Sequence, residues 1–356
     1  MTALDFKTFD DCGNEPAKDW AIKDVIALDE DSSWFGMPGS LKSALLTDLH
    51  VHLASGRAWR GHKVKRPLGS VFFAFERAGL TRRRLAAYAK RDGLANLPIA
   101  VCDQIVDMIN ESCVDTIVDT LKAAEVRFGV PVGLITFDTY AKGVAAGGGD
   151  EDKAQHANIV AANMKRIHEG LKYPIHIATI GHSGWDGKHE RGSSAKLGHV
   201  DLSVGIAGDV IRTAKIVKAN DQPDGVLTSF GVDTIKLGND EDGHSLTVGI
   251  LSADVATVAP EAAKVTPRQR EALSALTTLG GRAPVEAWRE EMLRNGAIDR
   301  QAKNPRADWR RLRSALVDAG LVVERDGVVE LAGGLPPPPP VPSRPILNLP
   351  PLPKLN

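Results

Sequence analysis

The 356-residue sequence predicts an α/β protein with a mostly parallel sheet, followed by a small unit of helices and a hairpin. Three observations carry this. From about Ser32 to Thr179, short apolar runs alternate with stretches of helical periodicity, the rhythm of parallel strands joined by crossover helices. A glycine-rich turn, Gly36-Met37-Pro38-Gly39-Ser40-Leu41-Lys42-Ser43, follows the first run and opens a helix over 44–54. Beyond Thr266, three helical stretches precede two short β-branched runs.

The runs expected as parallel strands are 33–35, 71–75, 97–101, 132–137 and 175–180. Between them apolar residues recur at three and four, as Val160, Met164, Ile167 and Leu171 do. Past Asp201 the pattern changes to strands without helices, over 202–206, 213–218, 227–237 and 246–251, separated by Gly, Asp and Asn turns. These are expected to extend the sheet as antiparallel hairpins. The first domain therefore covers 1–251, with an acidic segment at 1–18, and a Pro-containing linker covers 252–265. Thr266-Pro267 then reads as an N-cap with proline at the first helical position. Helices are expected over 267–278, 284–295 and 308–319, and a hairpin over 321–331 turning at Asp326-Gly327. That order, within 266–334, is the order of a winged helix-turn-helix.

Charge totals exclude one class of function. The 44 basic and 45 acidic residues give a net charge of -1, which rules out a polycation that holds nucleic acid by total charge alone. Local fields survive within that sum. Residues 1–31 carry nine acids against three lysines, whereas 303–313 carry five basic residues against Asp308. Ten of the 21 prolines fall in 335–356, so that tail is expected to be an extended, disordered spacer. Cys12, Cys102 and Cys113 form no C-x-x-C pair and suit a reducing compartment. No run approaches a membrane span and the N-terminus is acidic, so a soluble cytoplasmic protein is expected.

The glycine-rich turn has the parts a phosphate chain needs: converging backbone N–H groups, a helix N-terminus, a lysine for β/γ charge and a hydroxyl for Mg²⁺. Leu41 departs from the glycine that usually precedes the lysine, and a plain glycine-rich helix start is the other reading. Asp138 ends the apolar run 134–137, where a carboxylate can hold the Mg²⁺ shell; a helix cap is the simpler role. Glu76 ends the run 71–75 and can orient and deprotonate an attacking water, or else pair with Arg77 or Arg82. His182 follows the run 175–180 at the same edge, as a reporter on the γ-phosphate or a structural hydrogen-bonder.

Taken in order, Trp20, G-M-P-G-S-L-K-S, F-E-R-A-G-L-T-R-R-R, L-I-T-F-D-T, G-H-S-G and R-G-S-S-A resemble the RepA-type hexameric replicative helicases, within the RecA/DnaB superfamily of P-loop ATPases. The resemblance spans about 19–251. It implies a RecA-like core, ATP and Mg²⁺ as cofactors, and hydrolysis between subunits of a ring, in this family a hexamer. It also implies translocation on single-stranded DNA through the channel during plasmid, phage or mobile-element replication, with a primase or initiator as partner. By position it assigns Gly36, Pro38, Gly39, Ser40, Leu41, Lys42, Ser43 and Ala44 to the phosphate loop, and Lys42 and Ser43 to phosphate and Mg²⁺. Glu76 becomes the catalytic base, Asp138 the Walker B carboxylate and His182 the γ-phosphate sensor. Lys218 becomes a contact to the neighbouring subunit's nucleotide.

Two positions depart from the family pattern. Gly181 stands where members often carry the first of two histidines, and the late K-x-R reads Lys218-Ala219-Asn220. Either Arg191 or Arg212 replaces the missing arginine, or stimulation across the interface is weak. Two basic segments are candidates for DNA. The loop 185–196, with Lys188, Arg191, Ser193 and Lys196, suits the single strand of a channel, or is a solvated loop. Arg306, Arg310 and Arg311, with Lys303 and Arg313 around Trp309, suit duplex DNA at a third helix, or form a solvated face. The basic stretch 81–91, which includes Arg84, is expected as an exposed helix or subunit contact. Two further functions stay open: an ATP-switched DNA-binding regulator or loader, and a RecA-like recombination ATPase.

Overall fold

A computed structural model describes residues 6–13, 17–185, 187, 189–253, 266–300, 304–318, 321–325 and 327–331. They fall into two compact units, before and after 254–265. The expected tail 335–356, most of the expected linker, and Asp186, Lys188 and Lys303 lie outside the described residues.

In the first unit a short helix α1 (Phe9–Cys12) precedes a small hairpin, β1 (Trp20–Ile22) and β2 (Ile26–Ala27), which the sequence pattern did not announce. Then follow β3 (Glu30–Gly36), α2 (Lys42–Ser55), β4 (Gly69–Ala74), α3 (Ala78–Asp92), β5 (Ile99–Cys102), α4 (Cys113–Phe128) and β6 (Val132–Asp138). The chain continues through α5 (Tyr140–Ala146), α6 (Ala154–Glu169), β7 (His176–His182), α7 (Ala195–His199) and β8 (Leu202–Gly208). It ends in β9 (Arg212–Ala219), β10 (Gly225–Phe230), β11 (Val232–Asn239) and β12 (Ser245–Leu251).

Eight strands form one sheet in the order β10-β9-β8-β3-β7-β6-β4-β5. The six from β8 to β5 are parallel and β9 and β10 add an antiparallel edge, so the expected α/β core with a mostly parallel sheet is present. Alternation along each strand builds a core on both faces. Phe72, Leu134 and Ile180 pack with Leu45 and Leu49 of α2 on one side, and Val71, Ile135 and Ile177 pack with Leu121, Val160 and Met164 on the other. Parallel register also aligns the strand ends: Ala74 faces Asp138, Asp138 faces Ile180, and Gly36 faces His182. One edge of the sheet therefore collects the phosphate loop and the strand-terminal polar residues, where open α/β sheets bind ligands.

Two details differ from expectation. β8 runs parallel to β3, because the five-residue α7 is enough of a crossover to turn the chain. The run 227–237 is two strands, divided at Gly231. Phe230 stays in the main core, while β11 leaves the sheet and pairs with β12 in a separate two-stranded sheet. That pair packs Val248 and Ile250 on Val51, Ala87 and Tyr88 of α2 and α3.

Buried polar groups tie this unit together. Arg60 donates to Asp48 of α2 at 3.2 Å and to the Ser252 carbonyl at 3.1 Å. Tyr88 of α3 donates to Asp48 at 2.8 Å and accepts from the Leu251 N–H at 3.2 Å. Arg91 donates to the Leu251 carbonyl at 2.6 Å. The last described residues of the unit are thus bonded to both helices.

The second unit contains α8 (Pro267–Thr278), β13 (Arg282–Pro284), α9 (Val285–Arg294), α10 (Pro305–Asp318), β14 (Val322–Arg325) and β15 (Val328–Leu331). Thr266 and Gln269 form a reciprocal capping box before α8, with Pro267 at the first helical position. α10 starts at Pro305, three residues earlier than expected. The three-residue β13 escaped the sequence pattern; it pairs with β15, which also pairs with β14. Trp288 and Trp309 meet edge to face at 5.4 Å in a core with Leu276, Met292 and Leu316. No helix among the described residues is long and apolar enough to cross a membrane.

Candidate nucleotide site

The phosphate loop leaves β3 at Gly36, where a Cβ would lie 2.5 Å from the Ile206 carbonyl oxygen and from Ser40 Oγ. Only glycine fits there. Gly39 and Leu41 both take left-handed backbone, at φ 83° and 67°. Leu41 thus holds the conformation that favours glycine, with its half-buried side chain packed on the core. α2 begins at the next residue and points its free N–H groups into the loop. Lys42 is buried and turned back, donating to the carbonyls of Gly36 at 2.9 Å and Met37 at 3.1 Å. Burial pulls its pKa down, against the opposing charges of Asp138 and Glu76.

Asp138, at the end of β6, is 6% exposed and bonded to the Ser43 hydroxyl. Burial raises its pKa to about 6; the Ser43 bond opposes that, the charge of Glu76 adds to it, and Arg84 and Lys42 oppose it. Glu76 stands exposed two residues past β4 and accepts from Thr139 Oγ1 at 2.8 Å, not from Arg77 or Arg82 as a structural role had suggested. Arg82 instead pairs with Asp103 at 3.1 Å. His182, half-buried at the end of β7, has a buried Nδ1 with no partner among the described residues. Burial lowers its pKa, and the nearby charge of Lys42 lowers it further.

These residues line one cavity of about 240 Å³. Pro38, Gly39, Leu41, Lys42, Ser43, Glu76, Asp138 and His182 come together there as the sequence suggested. Thr81, Arg84 and Thr139 line it too and were missed. For Arg84 this is a correction: it is 9% exposed and faces the cavity, while Arg82 and Arg83 are exposed as expected. The available signal was helical spacing, since Thr81, Arg84 and Tyr88 fall on one buried face of α3.

A Mg²⁺–triphosphate suits this set. Lys42 and Arg84 offer two buried cations, and Ser43 with Asp138 offers a hydroxyl–carboxylate pair for a hard cation. Ser40 Oγ, Arg84 Nε and His182 Nδ1 are buried without hydrogen-bond partners among the described residues, as donors and acceptors awaiting a polar ligand are.

Other expected contacts lie elsewhere. Lys196 is buried, pairs with Glu190 at 2.5 Å and lies 3.8 Å over the Tyr140 ring, which removes it from any DNA-facing surface. Arg191 is exposed and bonded to Glu151 at 2.7 Å, and Ser193 Oγ accepts from the Ala195 N–H at 3.3 Å. Lys218 donates to the Val200 carbonyl. It sits opposite Ser203, at the far edge of the sheet from the cavity. Arg212, at the other end of β9, donates to the Gly39 carbonyl of its own phosphate loop at 3.4 Å. Arg306, Arg310 and Arg311 are exposed on α10, with Arg311 bonded to Asp308 at 3.3 Å, and Trp309 is in the core.

Residues 2–188 match the AAA domain family. No curated protein matches the chain. One solved structure with similarity is the KaiC-like protein PH0186 of the hyperthermophilic archaeon Pyrococcus horikoshii OT3, at 11% identity and a TM-score of 0.41. The alignment covers 65% of this chain and 93% of that one.

Proposed function

We propose that this chain, which belongs to the AAA domain family, is a RecA-like P-loop ATPase and a RepA-like replicative helicase. In this reading it assembles as a hexameric ring, binds ATP at subunit interfaces and moves along single-stranded DNA in plasmid, phage or mobile-element replication. The second unit acts as a winged helix on duplex DNA, and a primase or initiator completes the machinery.

The observation that carries the reading is the convergence of Lys42, Ser43, Glu76, Asp138 and His182 on one cavity. Glu76 takes a proton from a water whose oxygen bonds to the γ-phosphorus; the bridging bond to the β-phosphate breaks and ADP leaves with its electron pair. Lys42 releases the loop carbonyls and turns to the phosphate oxygens. Ser43 and Asp138 would hold a Mg²⁺ ion, which would supply positive charge to the phosphate chain. Thr139 fixes the Glu76 carboxylate, and His182 faces the group being transferred. The strand carrying His182 continues into a turn closed by Ser183–Glu190 pairing, with Trp185 fully exposed on it, a placement suited to touching DNA bases.

One observation favours a switch or loader over a motor. Asn220, where an arginine is expected, donates to Asp201 at 2.9 Å, Lys218 donates to the Val200 carbonyl, and Arg212 at the start of β9 donates to its own phosphate loop. ATP turnover and strand separation, with and without single-stranded DNA, decide between them in wild type, Lys42→Ala and Glu76→Gln. A motor shows DNA-stimulated turnover that both variants lose. Nucleotide-dependent assembly without turnover would exclude the helicase.

A further inference from the structure

We propose that Arg84 is a catalytic arginine acting within its own chain: its guanidinium contacts the γ-phosphate and balances the charge that develops as the phosphoryl group transfers. The proposal rests on the ATPase reading of the cavity and changes where its arginine comes from.

Arg84 is an unusual cation. A guanidinium stays charged in proteins, so it cannot escape burial by losing its proton. Here it is 9% exposed, and burial is the largest influence on its pKa, pulling it down. The charge of Asp138 opposes that pull without bonding to it, and Arg77 and Arg83 add like-charge repulsion. Among the described residues no carboxylate pairs with Arg84, no hydrogen bond reaches it, and its Nε is buried without a partner. Lys42, facing the same cavity, at least has two carbonyls. A buried charge left without a partner is strongly unfavourable, so the missing partner is an anion that enters the cavity.

Position decides which part of the anion it meets. Arg84 influences Asp138 directly and lines the cavity with Glu76 and Thr81, on the side of the strand-terminal carboxylates. That is where water, metal and terminal phosphate meet. The other candidates do not line the cavity: Arg191 is bonded to Glu151, and Arg212 donates to its own Gly39 carbonyl while its Nε is buried without a partner among the described residues. An arginine supplied by α3 makes Asn220 in the late strand chemically tolerable. In the hydrolysis step Arg84 gives and takes no proton; it binds the equatorial oxygens of the phosphoryl group while Glu76 accepts the proton and ADP departs.

The test combines binding, melting and subunit mixing. A non-hydrolysable ATP analogue and ADP, each with Mg²⁺, are titrated into wild type, Arg84→Ala and Arg84→Lys. Arg84→Ala should weaken the analogue by about tenfold or more while ADP changes by less than about twofold. Turnover should fall by roughly 10³-fold, with Arg84→Lys recovering analogue binding better than turnover. Without nucleotide, Arg84→Ala should melt no lower than wild type, because it removes a buried charge that has no partner. A lower melting temperature, or equal loss for the analogue and ADP, overturns the proposal. Mixed oligomers of Arg84→Ala and Lys42→Ala subunits separate the two geometries. An arginine acting in its own chain leaves every mixed site defective, whereas recovered turnover means the arginine acts across the interface and overturns the proposal. Wild type that binds neither nucleotide would remove the ATPase reading and this proposal together. Wild type that binds ATP beside an indifferent Arg84→Ala removes this proposal alone.

Discussion

The carboxylate of Glu190 occupies the space that a side chain on Gly181 would need. Ser33 donates to both of its oxygens, at 2.8 and 2.7 Å, and Lys196 pairs with it at 2.5 Å. Glycine at 181 is therefore what the placement of the Glu190 carboxylate requires. Gly181→Ala should cost about 1–3 kcal/mol through overpacking, and less in a Glu190→Ala background. Urea unfolding of the two single variants and the double variant checks this; strictly additive losses would show that the residues do not share the space.

Asp138 predicts opposite pH dependences for stability and for metal binding. Its folded-state pKa, about 6, lies above the ordinary 3.8, so the folded chain takes up this proton more readily than the unfolded one. Stability without ligand should fall as pH rises between those values, by on the order of 3 kcal/mol in total. Asp138→Asn should accordingly raise the melting temperature at about pH 8 and change it little at about pH 4. Mg²⁺–nucleotide binding needs the carboxylate and should weaken below about pH 6. A variant that melts lower than wild type at the higher pH would contradict the burial cost.

Leu41 predicts an inverted tolerance to substitution. A left-handed backbone costs an L-residue roughly 1–2 kcal/mol, about what a half-buried leucine recovers by packing. Leu41→Gly should then change stability by less than about 1 kcal/mol. Leu41→Val, the milder chemical change, should cost more, since branching at Cβ makes this conformation an outlier. Thermal unfolding of the three proteins orders them; valine equal to leucine with glycine far worse would mean packing dominates.

Arg310 and Arg311 predict a salt signature. Both are exposed on α10, and Arg311 has only Asp308 as a surface partner. Replacing both with Ala should lower the slope of log K against log salt for duplex DNA by about 2, equally for unrelated sequences. Arg313, bonded to Glu324, should contribute little to that slope. An unchanged slope would remove this helix from the DNA contact.

The parallel sheet made the site legible. Once the apolar runs are read as parallel strands, their terminal residues must share an edge, which is why Glu76, Asp138 and His182 could be named beside Lys42 from spacing alone. Arg84 was not legible, because Arg82, Arg83 and Arg84 are consecutive and only the rotation of α3 selects the one that turns inward. Lys196 looked like a surface charge because its partner, Glu190, reaches it through the hairpin turn and the gap at Gly181. The exit of β11 from the sheet depended on Gly231, a small residue that marks a bend as easily as a strand interior.

Leu251 and Ser252 end the described first unit bonded to Arg91, Tyr88 and Arg60, and through Asp48 to α2. They are therefore anchored to the two helices that carry Lys42 and Arg84. Whatever shifts α2 or α3 carries this end of the unit with it.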